Sequence, residues 1–476
     1  MKGADVEEVE TKLNPKGREI SSEGYTRVAK LPRVAEDGTS YWLDSPNGRH
    51  EYTHQLFRFP AKFHPPVVRW ALGNYGRKGS AVLDLFTGSG TVQVESLVRG
   101  ISSVGIDIDP LACLIARVKT TPLNPERLRG VFNQILTLQE PYKQVRINQD
   151  LIPGLDIPEG QYLTEAIGVI IPPHPSITHW FRRYVIIDLA RILWAITQVE
   201  MSEQENLFFK ACVASIIRRV SNADPDPVSG LEVTSVQARR NTTRAIRVFD
   251  DFTNKTRQVI QGMSRLWETY TRDGSEASTR VIHGNVSRLP ELLSDVSSAQ
   301  EGFPLVVTSP PYCRSVEYSR RHQLEMYWLG LVQNQAEHIN LTHTYIGRRL
   351  VRASDWNEEV EFGIKALDDT LGQIAIQDVH KARTVRNYFH SMKNVFEQLY
   401  AVMKRTGTLV CVIGNSVCCK VPIQTADFIA ELASDHFILK NRFSYALRNH
   451  YMQYGLWNGD GIKQEHVLVM KPKSNL

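Results

Sequence analysis

Two short stretches of this 476-residue chain carry residue types that chemistry can use. The first is LVVTSPPYC, residues 305–313, an apolar run that passes straight into Thr308-Ser309-Pro310-Pro311-Tyr312. The Ser309 hydroxyl and the Pro310 carbonyl are two hydrogen-bond acceptors, and the prolines fix φ, so that carbonyl is rigid before anything binds. Two such acceptors suit the two hydrogens of an aromatic amino group. Its lone pair is delocalised into the ring and becomes nucleophilic only as the nitrogen pyramidalises. Tyr312 adds an exposed ring on which a planar base can stack. The second stretch is VLDLFTGSGTV, where Gly88 and Gly90 stand between an apolar run and a helical one. Glycines there let the backbone approach a ligand and turn the next helix's N-terminus toward it. Asp107 ends the following strand, ~20 residues on, where a carboxylate can accept hydrogen bonds from a ribose diol. Asn285, after RVIHG, suits an adenine amino group and equally suits a helix cap.

These residues need elements to hold them. Residues 80–118 read as strand, Gly-rich turn, helix and strand, and Pro65-Pro66 opens a helix just upstream. From about residue 120 to 280 the pattern becomes long and helical. In SEQENLFFKACVASIIRRVS, for example, Phe208, Cys212, Ile216 and Val220 recur every fourth position. The β/α rhythm returns at RVIHG, FPLVVT, a helix near 385–403, TGTLVCVIGN, a helix near 423–434, and two closing strands, FILKNRFSYALRN and EHVLVMKPK. Such alternation predicts an α/β fold: a doubly wound, mostly parallel sheet with an antiparallel C-terminal edge and a large helical insertion. The expected organisation is a polar N-terminal arm over 1–50, a catalytic domain formed by 51–120 and 280–476, and the insertion at 121–279.

Bulk properties narrow the class. A composition 42% hydrophobic and 22% charged can bury a core. No stretch resembles a secretory leader or a spanning helix, so a soluble cytoplasmic protein without a membrane partner is expected. The six cysteines form no C-x-x-C pair and no Cys/His cluster at zinc spacing, which points to reduced thiols and to no metal. A net charge of +5 permits a nucleic-acid partner without arguing for one.

Two ligands fit the turn, a dinucleotide and S-adenosylmethionine. The form D-x-F-x-G-x-G lacks the third glycine of the pyrophosphate fingerprint. The ordered set D-x-F-x-G-S-G-T, Asp107, Asn285 and TSPPY instead resembles the S-adenosylmethionine-dependent amino-methyltransferases of DNA. These modify N4 of cytosine or N6 of adenine through a [DNS]-P-P-[YFW] motif, and TSPPY is the form typical of the N4-cytosine members. The resemblance covers residues ~55–120 and ~280–470 and implies a Rossmann-like methyltransferase sheet. It implies that Asp84, Phe86, Thr87, Gly88, Ser89 and Gly90 cradle the cofactor's methionine end, helped by Lys62 and Phe63 of RFPAKFHPP. Asp107 would bind ribose, Ile108 and Val286 would pack on adenine, and Asn285 would bond the adenine amino group. Ser309, Pro310, Pro311 and Tyr312 would engage an extruded base. Here the long insert falls between Asp107 and Asn285, which departs from the family's usual placement of its recognition domain.

Double-stranded DNA is therefore the expected partner, together with a separately encoded restriction endonuclease. Between Lys210 and Arg257 lie nine Lys/Arg against five Asp/Glu. There Arg218, Arg219, Arg239 and Arg240 flank a polar loop, while Arg320, Arg321, Arg348 and Arg349 follow the motif, and all eight are candidates to touch phosphates. The insertion is the candidate DNA-recognition domain. Methylation of N6 of adenine, methylation of an RNA base, and a catalytically silent DNA-binding protein are the competing expectations.

Overall fold

The structure is a computed structural model and describes residues 23–44, 51–149, 171–224, 231–243, 246–314, 316–348, 361–447 and 462–474. Nine strands form one sheet: β1 (Thr26–Val28), β2 (Ser40–Leu43), β3 (Ala81–Asp84), β4 (Ser102–Asp107), β5 (Thr279–His283), β6 (Phe303–Thr308), β7 (Met403–Gly414), β10 (Phe437–Ala446) and β11 (Gln464–Pro472). A separate hairpin, β8 (Ser416–Cys418) and β9 (Val421–Ile423), follows β7. The order across the sheet is β1-β2-β10-β11-β7-β6-β3-β4-β5. Strands β7, β6, β3, β4 and β5 are parallel, and β11 runs antiparallel between β7 and β10. β1 and β2 lie within the stretch expected to be an arm, and they complete the sheet beyond β10.

Alternate residues of the parallel strands feed two different cores, as a doubly wound sheet requires. Val82 of β3 and Leu305 and Val307 of β6 meet Val67, Val68 and Trp70 of α1 (Pro65–Tyr75) on one face. Leu83 and Val306 meet the helix Val379–Val402 on the other, through Val385, Phe389 and Met392. α2 (Thr91–Leu97) and α3 (Pro110–Thr120) follow β3 and β4. The chain steps from β3 through β4 to β5 toward one edge, and from β6 to β7 toward the other. That reversal, between β3 and β6, opens a crevice at the carboxyl ends of the strands.

Between α3 and β5 the described elements are helical. Pro125–Gln149, Arg183–Thr197, Glu203–Val220 and Val248–Arg272 pack into a third core that also includes α3. Glu203–Val220 begins with a capping box: Ser202 Oγ accepts from the Glu205 amide at 3.2 Å, and the Ser202 amide donates to the Glu205 carboxylate at 2.7 Å. Phe208, Cys212, Ile216 and Val220 are all buried in this core, which matches their fourfold spacing. Among the described residues no helix is long and apolar enough to cross a membrane, and no group of three His, Cys, Asp or Glu could hold a metal ion.

Candidate active site

The turn after β3 is shaped by backbone geometry. Gly88 and Gly90 have φ of 49° and 74°, the left-handed region that glycine enters without strain. A Cβ on Gly88 would lie 3.2 Å from the Phe59 ring, and one on Gly90 would lie 2.9 Å from the Ala116 Cβ of α3. Gly88 thus lines a cavity, whereas Gly90 lets α2 and α3 pack closely and does not reach it. Asp84 also differs from its expected place. Its carboxylate is buried behind the turn, where Oδ1 accepts from Thr308 Oγ at 2.8 Å and from the Phe86 amide at 3.2 Å. It ties β3 to β6, and burial pushes its carboxyl up to about 7 against those donors. Beneath the turn, buried Lys119 donates its ammonium to the Ser89 carbonyl. Burial drives that ammonium well below its ordinary pKa.

Asp107 stands at the end of β4, facing the turn. Its Oδ2 accepts from the Gly88 amide at 2.7 Å and its Oδ1 from the Asp109 amide at 2.9 Å. Burial, and then the charge of Asp109, push its carboxyl up to about 7. Asp109 behaves oppositely. Burial opposes its charge, but His322 Nδ1 at 2.7 Å and the Leu111 and Ala112 amides hold it below the ordinary carboxylate range. Those amides open α3, so Asp109 is also the helix's N-cap.

At the end of β6 the motif splits. Ser309 and Pro311 line the same cavity as the Gly-rich turn, while Pro310 is buried behind them. Tyr312 contradicts the expectation of an exposed ring: it is 8% exposed and does not line the cavity. The cause is tertiary. Its hydroxyl donates to Glu465 of β11 at 2.6 Å, and Glu465 also takes the Tyr445 hydroxyl. Its ring rests on Gly414 of β7, where a Cβ would come within 2.9 Å. Burial, and then Glu465, raise its phenol well above the ordinary value.

One cavity collects most of the residues nominated from the sequence. Phe86, Thr87, Gly88 and Ser89 come from the turn, and Asp107 and Ile108 from β4 and its end. Asn285 and Val286 follow β5, and Lys62 and Phe63 precede α1. Lys62 donates its ammonium to the His54 carbonyl at 2.5 Å. Asn285 is both wall and cap: its Oδ1 accepts from the Ser287 amide at 2.9 Å, leaving one lone pair of that oxygen for another donor. Sequence reasoning missed Phe59, Asp109, Tyr318, Thr344, Tyr345 and Ile346 on the same wall. Phe59 stacks on Tyr318, with centroids 5.5 Å apart and 23° between planes. Proximity to Lys62 and Phe63 hinted at Phe59; nothing in the sequence around Tyr345 sets it apart.

The arginines nominated for DNA fall into different settings. Arg239 and Arg240 are exposed on the helix Ser235–Thr243, and Arg320 is exposed near Glu232. Arg219 is exposed and pairs with Asp251 at 2.9 Å. Arg348 reaches His343 at 2.7 Å. Arg218 and Arg321 are buried, against the expectation of a surface face, because both line the inner wall of a cleft. Arg349 lies outside the described residues.

Comparison with known proteins adds relatives at low identity. No protein-family model matches the chain. It is 24% identical over 414 residues to the Type II methyltransferase M.MvaI of Kocuria varians, covering 85% of this chain and 86% of that protein. It is 21% identical over 483 residues to the Type II methyltransferase M.BsoBI of Geobacillus stearothermophilus, covering 89% and 86%. A shorter match, 30% over 114 residues, links 24% of this chain to 22% of the Type II methyltransferase M.MjaII of Methanocaldococcus jannaschii. Among solved structures, the rRNA methyltransferase aviRa of Streptomyces viridochromogenes superposes with a TM-score of 0.30 at 11% identity over 88% of each chain, too slight a likeness to argue from.

Proposed function

We propose that the protein is an S-adenosylmethionine-dependent DNA methyltransferase that modifies the N4 amino group of cytosine in duplex DNA. The observation that carries this reading is that Ser309 shares one cavity with the Gly88 turn and Asp107, at the point where the sheet reverses direction. The Type II methyltransferases among the relatives support the methyltransferase part of this reading.

The cavity's own atoms suit the methyl donor. Ser89 Oγ is buried in the wall without a hydrogen-bond partner, and Gly88 leaves open the space that a Cβ would fill. An acid, an amide and several aromatic rings stand around them. Asp107 is assigned to the ribose hydroxyls, Asn285 to the adenine amino group, and Ile108 and Val286 to the adenine faces. Lys62 and Phe63 are assigned to the methionine end. When bound, S-adenosylmethionine supplies a methyl group already activated on a sulfonium.

The protein's part is positioning. Ser309 Oγ and the Pro310 carbonyl accept hydrogen bonds from the two amino hydrogens and hold the nitrogen as it pyramidalises; the methyl group leaves sulfur for nitrogen, and the acidic proton of the methylated nitrogen passes to water. Pro311 keeps that carbonyl rigid. Tyr312, clamped by Glu465, fixes the turn that presents Ser309 in the resting structure; stacking on an extruded base requires its ring to be uncovered. Exposed Arg239, Arg240 and Arg320 are assigned to the DNA backbone. The enzyme would serve as the modification partner of a separate restriction endonuclease.

The test is transfer of label from S-adenosylmethionine to duplex DNA and to RNA, followed by hydrolysis and identification of the modified nucleoside. N4-methylcytosine in DNA is the expected product. N6-methyladenine would move the assignment to adenine, and label in RNA alone would overturn it.

A further inference from the structure

We infer that a second cleft, separated from the cavity by a wall of aromatic rings, seats a phosphodiester of the acceptor strand beside the nucleotide whose amino group reaches Ser309. This rests on the DNA reading above.

The cleft encloses about 800 Å³. Four separate segments bring cations to it: Arg58 ahead of α1, Arg218 and Arg219 at the end of Glu203–Val220, Lys255 of Val248–Arg272, and Arg321 after the motif. Two carboxylates, Asp251 and Glu325, oppose these five. Asp251 is engaged by Arg219. Glu325 is buried and its Oε2 has no hydrogen-bond partner; burial raises its carboxyl, against His322, Arg218 and Arg321 beside it. Positive charge therefore exceeds negative inside a concave, low-dielectric wall, where fields are focused.

Arg321 shows what this costs the unliganded protein. It is 3% exposed, and burial followed by the neighbouring Arg218 pushes its guanidinium down to about 9. Two guanidiniums held together away from water destabilise one another. An anion held among Arg58, Arg218, Arg219 and Arg321, which line the one cleft, relieves both effects, and a phosphate matches the guanidinium fork geometrically.

Position identifies which anion. Phe57 and His322 belong to the cleft wall, and Phe59 and Tyr318 belong to the cavity wall that holds Ser309. The rings touch: Phe59 to His322 at 4.9 Å, Phe57 to His322 at 6.0 Å, and Phe59 to Tyr318 at 5.5 Å between centroids. His322 then reaches through to Asp109 of the cavity. His322 and Phe59 lie back to back across this wall, 4.9 Å between centroids, a span that one nucleotide can bridge with its base on one side and its phosphate on the other. A free small anion would gain nothing from this adjacency.

The exposed residues Arg58 and Arg219 make the test, since replacing buried Arg321 risks the fold. Binding of the R58Q/R219Q variant to duplex DNA is followed by fluorescence anisotropy through a salt series, with S-adenosylmethionine affinity measured by calorimetry. The slope of log K against log salt should become less negative by about 0.9, the change for one phosphate no longer neutralised, with S-adenosylmethionine affinity retained. R280Q, on edge strand β5 outside both cavities, should keep the wild-type slope. An unchanged slope in R58Q/R219Q, or an equal change in R280Q, overturns the inference while leaving the DNA reading intact. A wild-type protein that methylates RNA but never DNA overturns both.

Discussion

Replacing Asp107 with Asn keeps the side chain's shape and removes its charge, so it isolates what the carboxylate does. Both oxygens are committed in the structure, one to the Gly88 amide at 2.7 Å and the other to the Asp109 amide at 2.9 Å. An amide offers one acceptor, so one of those N–H groups would face a buried NH₂ donor instead. Losing a hydrogen bond to a charged acceptor costs about 1.5–3 kcal/mol, which in a ligand-binding turn corresponds to roughly 10–100-fold in S-adenosylmethionine affinity. The wild-type pH dependence follows from the same group. Burial and Asp109 raise Asp107 to about 7, and on the assignment to the ribose the ionised form is the one that would accept from both hydroxyls. Affinity is therefore full above that value and is lost as the pH falls through it, approaching tenfold per unit on the acid side. Calorimetric titration of S-adenosylmethionine from about pH 5.5 to 8.5 should show the break in wild type and a flat, weaker profile in D107N. D84N, altered behind the turn, should keep the break. A flat wild-type profile, or wild-type affinity in D107N at alkaline pH, would refute the assignment of Asp107 to the ribose.

Three further outcomes are expected. S309A should lose about 100-fold in single-turnover methyl transfer while binding S-adenosylmethionine within about threefold of wild type, because the proposed function assigns this hydroxyl to the amino group and not to the cofactor. G90A combines a φ of 74° with a Cβ 2.9 Å from that of Ala116, so denaturant unfolding should show about 1–3 kcal/mol less stability. Y312F removes the donor to Glu465 and leaves a half-buried carboxylate oxygen without it, at a cost of about 1–3 kcal/mol; an unaltered melting temperature would show that the clamp holds nothing.

The Gly-rich turn was legible in the sequence because only glycine adopts the φ values found at positions 88 and 90 without strain. Asp107, Asn285 and Ser309 were legible because each ends a recognisable strand, and parallel strands deliver their ends to one edge of the sheet. What stayed hidden is tertiary. Tyr312 reads as exposed because Glu465, its partner, is 153 residues away and belongs to a strand whose neighbours cannot be inferred locally. Arg218 and Arg321 read as surface cations because charge is normally solvated, and only the packing of the inserted helices against the segment after the motif encloses them. Asp84 was correctly found at a strand end but serves Thr308 instead of the cavity. Phe59, Tyr318 and Tyr345 carry no local mark of the wall they build. β1 and β2, three and four residues long, fall below the length at which alternation can be read.

Those two short strands set an order of assembly. β2 pairs with β10 at Ser40 and Ser444, and the serine hydroxyls meet at 2.7 Å across 404 residues of sequence. The ribosome releases Ser40 of β2 404 residues before Ser444 of β10, so this edge cannot form until the chain through β10 has emerged. Loop closure itself is a small obstacle, about 1.2 kcal/mol more than for a loop a quarter as long. The burden is kinetic. Tyr41 and Leu43, buried in the finished protein, wait in water through the intervening translation until β10 arrives. A nascent chain stalled before Phe437 would thus present β2 without its partner, and an unfinished sheet, to chaperones and to other copies of itself.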